Sequence, residues 1–195
     1  MFNISTLTLQ AGKSITINNN VVINLAGGNF SATINDENAV AAQRDSGVAQ
    51  FVMNSESQIL TDGGNISIKP GSFGGEVIGT VQLNGGTLNS GTGTIDITGR
   101  GSLDGATKTG IFLSNGAVVE STGTGAITLE GTGGAGTNAT RGIEIQNSRT
   151  TFTNYERTTS TTHRCISPPG EWLFATRATT LSVVNCTDCI GTGSG

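Results

Sequence analysis

Charge is scarce in this chain of 195 residues: Asp, Glu, Lys and Arg together make up 12% of it, and the formal net charge is −4. Its ten Lys and Arg are scattered. Without a basic stripe there is no footprint for nucleic acid, and no polybasic segment for an anionic membrane surface. No apolar run approaches the roughly 18 residues of a transmembrane helix, so no membrane span is expected. Aromatic residues are only 5% of the chain, and proline occurs three times. No 3.6-residue periodicity of any length is present, which leaves little room for helices. Met1-Phe2-Asn3-Ile4-Ser5 has neither the basic nor the apolar region of a signal peptide. For an exported protein, the export signal would therefore lie on sequence other than this. Hydrophobic content is low at 34%, but disorder normally needs high net charge as well.

What the chain has is glycine, 30 residues of it, together with Thr, Ser and Asn. That composition suits a β architecture of short strands and many turns. Internal similarity decides which one. Gly110-Ile111-Phe112-Leu113-Ser114-Asn115 matches Gly142-Ile143-Glu144-Ile145-Gln146-Asn147, and Gly110 to Gly142 is 32 residues. Gly91-Thr92-Gly93-Thr94-Ile95-Asp96-Ile97 matches Gly123-Thr124-Gly125-Ala126-Ile127-Thr128-Leu129 at the same 32, from Gly91 to Gly123. Val81-Gln82-Leu83-Asn84 matches Ile111-Phe112-Leu113-Ser114 at 30. A drift of two residues is what a corner of variable length produces.

Within each unit the apolar residues alternate: Ile95/Ile97, Ile111/Leu113, Ile127/Leu129, Ile143/Ile145. Period two buries one face of a strand and wets the other. About three strands fit one period, near 111–114, 117–121 and 126–130 in the best unit. A sandwich or barrel needs hairpins and would not repeat at this interval. A parallel β-helix stacks equal units about 4.8 Å apart, each strand pairing with its counterpart one period on. The fold expected is therefore all-β, a parallel β-helix over residues 5–149, right-handed by the usual chirality of parallel crossovers. One inward ladder is expected through Leu83, Ile111 or Leu113, and Ile143 or Ile145. Another is expected through Ile66/Ile68, Ile95/Ile97 and Ile127/Leu129. Neither end of the repeat reads as a polar cap, which points to a piece of a longer solenoid.

Two runs carry a resemblance: Leu7-Thr8-Leu9-Gln10-Ala11-Gly12-Lys13-Ser14-Ile15-Thr16-Ile17 and Gly125-Ala126-Ile127-Thr128-Leu129-Glu130-Gly131-Thr132-Gly133-Gly134-Ala135-Gly136. They resemble the filamentous haemagglutinin-like adhesins of cyanobacteria and other Gram-negative bacteria. The resemblance implies two-partner secretion through an outer-membrane pore, a β-helical shaft, and an extracellular or cell-surface location. It implies no cofactor and no catalytic residues.

The repeat stops near Ser148. Residues 150–195 form an irregular, non-repeat segment by composition, with the only Trp, Tyr and His and all three Cys. Gly191-Thr192-Gly193-Ser194-Gly195 then sounds like the repeat again. An inserted or capping domain, a disordered tail and a reading-frame error all stand as explanations; the abrupt change and return favour the last. Cys186-Thr187-Asp188-Cys189, with His163 and Cys165, has the residue types of a metal site but the spacing of no known zinc module. No metal site is assigned.

Gly131-Thr132-Gly133-Gly134-Ala135-Gly136 fits G-x-G-x-x-G, yet no helix or βαβ unit surrounds it, so it reads as a corner loop. A single such loop with Asn138 in place of Asp is no tandem calcium site. The acids Asp36, Glu37, Asp45, Glu56, Asp62, Glu76, Asp96, Asp104, Glu120, Glu130 and Glu144 are dispersed, unlike the clustered carboxylates of a sugar-cleaving site. Outward Thr8, Thr16, Thr94, Thr98 and Thr128 are good exposed strand formers, and Asp96, Glu130 and Ser67 interrupt any ice-binding rank. Five Asn-x-Ser/Thr sequons (Asn3, Asn29, Asn65, Asn138, Asn185) matter only in a glycosylating host.

The function expected is thus a non-catalytic structural or adhesive shaft, with no cofactor and with variable loops such as 36–45 and 131–141 on its surface. Its expected partners are the secretion pore and host, surface or polysaccharide receptors. The alternative is a small carbohydrate-binding or carbohydrate-cleaving β-helix, which should cluster aromatics or pair acids on one face.

Overall fold

In a computed structural model, the described residues are 6–43, 48–102, 109–122, 125–134 and 141–146, with the backbone of three further strands. The chain winds through five coils, each contributing one strand to each of three sheets, A, B and C. Coil one holds β1 (Thr6–Gln10), β2 (Ile15–Ile17) and β3 (Val22–Asn24). Coil two holds β4 (Asn29–Ile34), β5 (Gln50–Met53) and β6 (Gln58–Leu60). Coil three holds β7 (Ile66–Pro70), β8 (Thr80–Asn84) and β9 (Thr87–Asn89). Coil four holds β10 (Ile95–Arg100), β11 (Ile111–Ser114) and β12 (Val118–Ser121). Coil five holds β13 (Ile127–Thr132), β14 (Arg141–Gln146) and β15 (Thr151–Asn154). Every strand pairs in parallel with its counterpart one coil on, so the backbone hydrogen bonds run along the axis of the stack. The parallel β-helix read from the repeat is the fold.

The register is the one the repeats require. Ile66 pairs with Ile95 and Ile95 with Ile127, and Ile68, Ile97 and Leu129 follow in the next inward row. In sheet B, Val81, Ile111 and Ile143 form one ladder, and Leu83, Leu113 and Ile145 the other. The third sheet carries a ladder that the repeat search did not isolate, through Ile23, Ile59, Leu88 and Val119. These inward residues make one continuous core, nearly all of it fully buried from coil two to coil four. Each fully buried Ile or Leu contributes about 1.5–3 kcal/mol. In coil two, Phe30 and Phe51 meet edge to face across the interior, centroids 6.5 Å apart, a favoured aromatic geometry.

Polar groups are satisfied by devices that recur from coil to coil. At the start of sheet A, the Asn65 N–H donates to Asn29 Oδ1 at 2.8 Å, and the Thr94 N–H donates to Asn65 Oδ1 at 2.9 Å. The sequons at Asn29 and Asn65 thus carry side chains that hold the next coil. At the corner from sheet C to sheet A, the buried hydroxyls of Thr61, Ser90 and Ser121 donate to carbonyls of that corner, Gly64 O, Gly93 O and Gly91 O among them. They fall in register because the preceding residues Leu60, Asn89 and Glu120 pair with one another.

The two ends differ. Leu7, Leu9, Ile15 and Ile23 of coil one are only partly buried, and Val22 is 56% exposed. At the other end, two strands run against the grain: β16 (Leu173–Thr176) lies antiparallel to β14, and β17 (Ala178–Val183) antiparallel to β13. Within the segment read as irregular, 150–195, the backbone of β15, β16 and β17 is therefore sheet-paired, and β15 keeps the parallel register of sheet C with Val119 beside Phe152. His163, Cys165, Cys186 and Cys189 lie outside the described residues.

Candidate functional site

The three corners of the coil are built to different rules. From sheet B to sheet C the chain needs only residues 18–21, 54–57, 85–86 and 115–117. Left-handed backbone at Asn20, Glu56, Gly85 and Asn115 makes these turns tight; Asn and Asp reach that region more readily than most residues. From sheet C to sheet A the connections are 25–28, 61–65, 90–94 and 122–126, again nearly constant. From sheet A to sheet B they are 11–14, 35–49, 71–79, 101–110 and 133–140. Length variation is concentrated at that one corner. Loop-borne binding residues on a rigid scaffold are the usual arrangement for function, so this corner is the candidate site.

Of the two loops expected on the surface, 36–45 and 131–141, the described residues 36–43 and 133–134 sit there, and 44–45 and 135–140 lie outside the described residues. Sequence reasoning missed the loop 71–79 between them: the drift of the period signals the longer loop 35–49, since Phe30 to Ile66 spans 36 residues, whereas Ile66 to Ile95, the coil that holds 71–79, spans only 29. The first two long loops flank an open pocket of about 380 Å³, lined by Gln10, Thr33, Asp36, Glu37, Asn38, Lys69, Pro70, Gly71, Ser72 and Val77. Its floor is an outward row of sheet A, since Gln10 pairs with Thr33 and Thr33 with Lys69.

The walls are tied to three successive coils. The Asn35 N–H donates to Lys13 O at 3.1 Å and the Asp36 N–H to Ala11 O at 3.0 Å, which fasten the 35–49 loop to coil one. Asn35 Nδ2 donates to Glu76 O at 3.0 Å, and the Phe73 N–H returns to Asn35 O at 3.1 Å, which fasten it to coil three. Ser72 Oγ donates to Glu37 Oε2 at 2.8 Å. Asp36 Oδ1 accepts from both the backbone N–H and the side-chain amide of Asn38, at 2.8 and 3.1 Å. Asp36 is 9% exposed and Asn35 3%, so the rim next to the floor is well packed. Lys69 stands exposed at the floor and makes no ion pair among the described residues.

The other described acids stand apart from this pocket, while Asp45 and Asp104 lie outside the described residues. Asp96 faces outward on sheet A in register with Thr128, and Glu120 accepts from Asn89 Nδ2 on sheet C. Glu144, in register with the half-buried Phe112, is itself 8% exposed; it pairs with Arg141 at 3.0 Å and accepts from Thr109 Oγ1 at 3.1 Å. A carboxylate can be buried there because both partners lie within reach. Of the G-x-G-x-x-G run, Gly131 lies in β13 and Gly133 and Gly134 open the loop-bearing corner, with no helix after them among the described residues. At Gly131 a Cβ would overlap the carbonyl of Gly142, so close packing of backbones sets that residue.

Among the described residues no three His, Cys, Asp or Glu side chains converge as metal ligands. None of the described helices is long and apolar enough to cross a membrane. Compared with protein-family models, curated proteins and solved structures, the chain matches none.

Proposed function

We propose that this chain is a shaft segment of an exported, surface-displayed adhesin of the filamentous haemagglutinin-like kind, acting without catalysis. The observation that carries the reading is the division of labour among the corners: two are held at nearly fixed length, and the third alone takes loops of up to 15 residues, 35–49. Such a molecule is a spacer with one edge free to vary. Stacking supplies rigidity, and the loops supply contact. The low charge and the outward Thr and Ser of sheet A fit a surface exposed to solvent. On this reading the partners are an outer-membrane pore during export, then a surface or polysaccharide receptor. A carbohydrate-cleaving β-helix is the weaker reading. The neighbouring carboxylates of Asp36 and Glu37 are engaged by Asn38 and Ser72, which suits fixed acceptors better than an acid and base free to act on substrate.

The test is adhesion. Beads carrying the purified chain are compared with beads carrying a variant in which residues 38–47 are replaced by a short Gly/Ser bridge. The expected result is retention of the parent on polysaccharide-coated or cell surfaces, loss of retention in the variant, and an unchanged β circular-dichroism spectrum in both. A parent that does not adhere, or a variant that adheres as well, sinks the reading.

A further inference from the structure

We propose that the pocket between the loops 35–49 and 71–79 binds a neutral hexose oligosaccharide laid along the coil axis; the assignment deepens the adhesin reading and rests on it. The floor presents one polar side chain per coil, Gln10, Thr33 and Lys69, at the inter-strand spacing of about 4.8 Å. A chain of sugar rings offers hydroxyls at intervals of similar size, each hydroxyl both donor and acceptor. The lining answers in kind: Asp36 and Glu37 accept, Lys69 donates, and Gln10, Asn38, Thr33 and Ser72 do both. Val77, 42% exposed, adds apolar surface for the C–H face of a ring.

Charge chooses among glycans. Two carboxylates and one ammonium line the pocket, a balance of −1, which disfavours uronic, sulfated or phosphorylated sugars and leaves neutral ones. Shape points the same way. The hydrogen bonds from Asn35, Asp36, Ser72 and Phe73 fix the walls before any ligand arrives, so little ordering is lost on binding. About 380 Å³ is at the small end of ligand pockets, room for one or two rings at a time. With no aromatic platform in the lining, each site is weak, with Kd on the order of 1 mM. Many copies on one surface would raise the avidity by roughly 100-fold or more.

The experiment applies the purified chain to an array of neutral and acidic oligosaccharides, then follows titrations with cellohexaose, mannohexaose and hexagalacturonate by NMR. Retention of neutral glycans, with shift changes at Gln10, Thr33 and Lys69, is the expected result. The double variant Gln10→Ala, Lys69→Ala should weaken binding about tenfold or more with an unchanged thermal midpoint, while Glu120→Ala, on sheet C, leaves it as it was. No neutral glycan retained by folded protein, a preference for hexagalacturonate, or full binding by the floor variant each overturns the assignment. Beads of the floor variant that still adhere would overturn the pocket alone and leave the shaft reading standing.

Discussion

Gly28, Gly64, Gly93 and Gly125 hold one position in four successive coils, just before sheet A begins. A Cβ on Gly64 would overlap the carbonyl of Gly28, one on Gly93 that of Gly64, and one on Gly125 that of Gly93. The atoms in the way are backbone, which cannot swing aside as a side chain does. Gly93→Ala is therefore expected to cost about 3 kcal/mol, the upper part of the range for overpacked sites. Gly116 is glycine for another reason: its φ is +77, and nothing lies within 4 Å of an added Cβ. Gly116→Ala should cost only about 1 kcal/mol of left-handed strain. Urea midpoints of the two variants decide it, and equal losses would refute the distinction. In the sequence both residues are one letter. Corner glycines were legible as such, but positive φ is shared with Asn20, Asn35, Asp62 and Asn115, and close approach shows only once coils are stacked.

At the scale of the element, strands were far easier to read than corners. Alternation of Ile95/Ile97 over Ile127/Leu129 is a period-two signal repeated at a fixed interval, and the two together dictate pairing. Sheet C was fainter because its strands are short and its inward residues change identity from Ile59 to Leu88 to Val119. The pocket was fainter still: Gln10, Thr33 and Lys69 are 23 and 36 residues apart and meet only through the register. No local motif announces them. Strands and the variable corner should also differ in tolerance. One Ser inserted after Asp96 turns the rest of β10 over, aiming Ile97 at water, because side-chain direction alternates strictly. The same Ser inserted after Gly74, an exposed residue of the 71–79 loop, should shift stability by no more than about 0.5 kcal/mol. Thermal midpoints, together with the β circular-dichroism amplitude, report both. Equal tolerance at the two points would contradict the in-register stack.

For the whole molecule, the stack has a loose end and a closed one. The half-exposed Leu7, Leu9 and Ile15 of coil one belong to a coil paired on one side only among the described residues, whereas β16 and β17 run antiparallel along coil five. A solenoid's stability is roughly a sum of coil and interface contributions, so in the isolated 195-residue chain opening should begin at coil one, whose inward residues are only partly buried. The axial direction of the backbone hydrogen bonds then has a mechanical meaning. Tension applied between the two ends loads the bonds of the outermost coil first, in line, while the coils behind it carry little. The protein should pay out like thread from a spool. Each coil of 23–36 residues releases roughly 80–120 Å of chain, and an optical trap should record a ladder of such steps, the coil that carries the loop 35–49 giving the longest. A single rupture of the entire length would show instead that the coils fail as one body. Stepwise release would let a tether under intermittent load lengthen by a coil, hold, and rewind when the load falls.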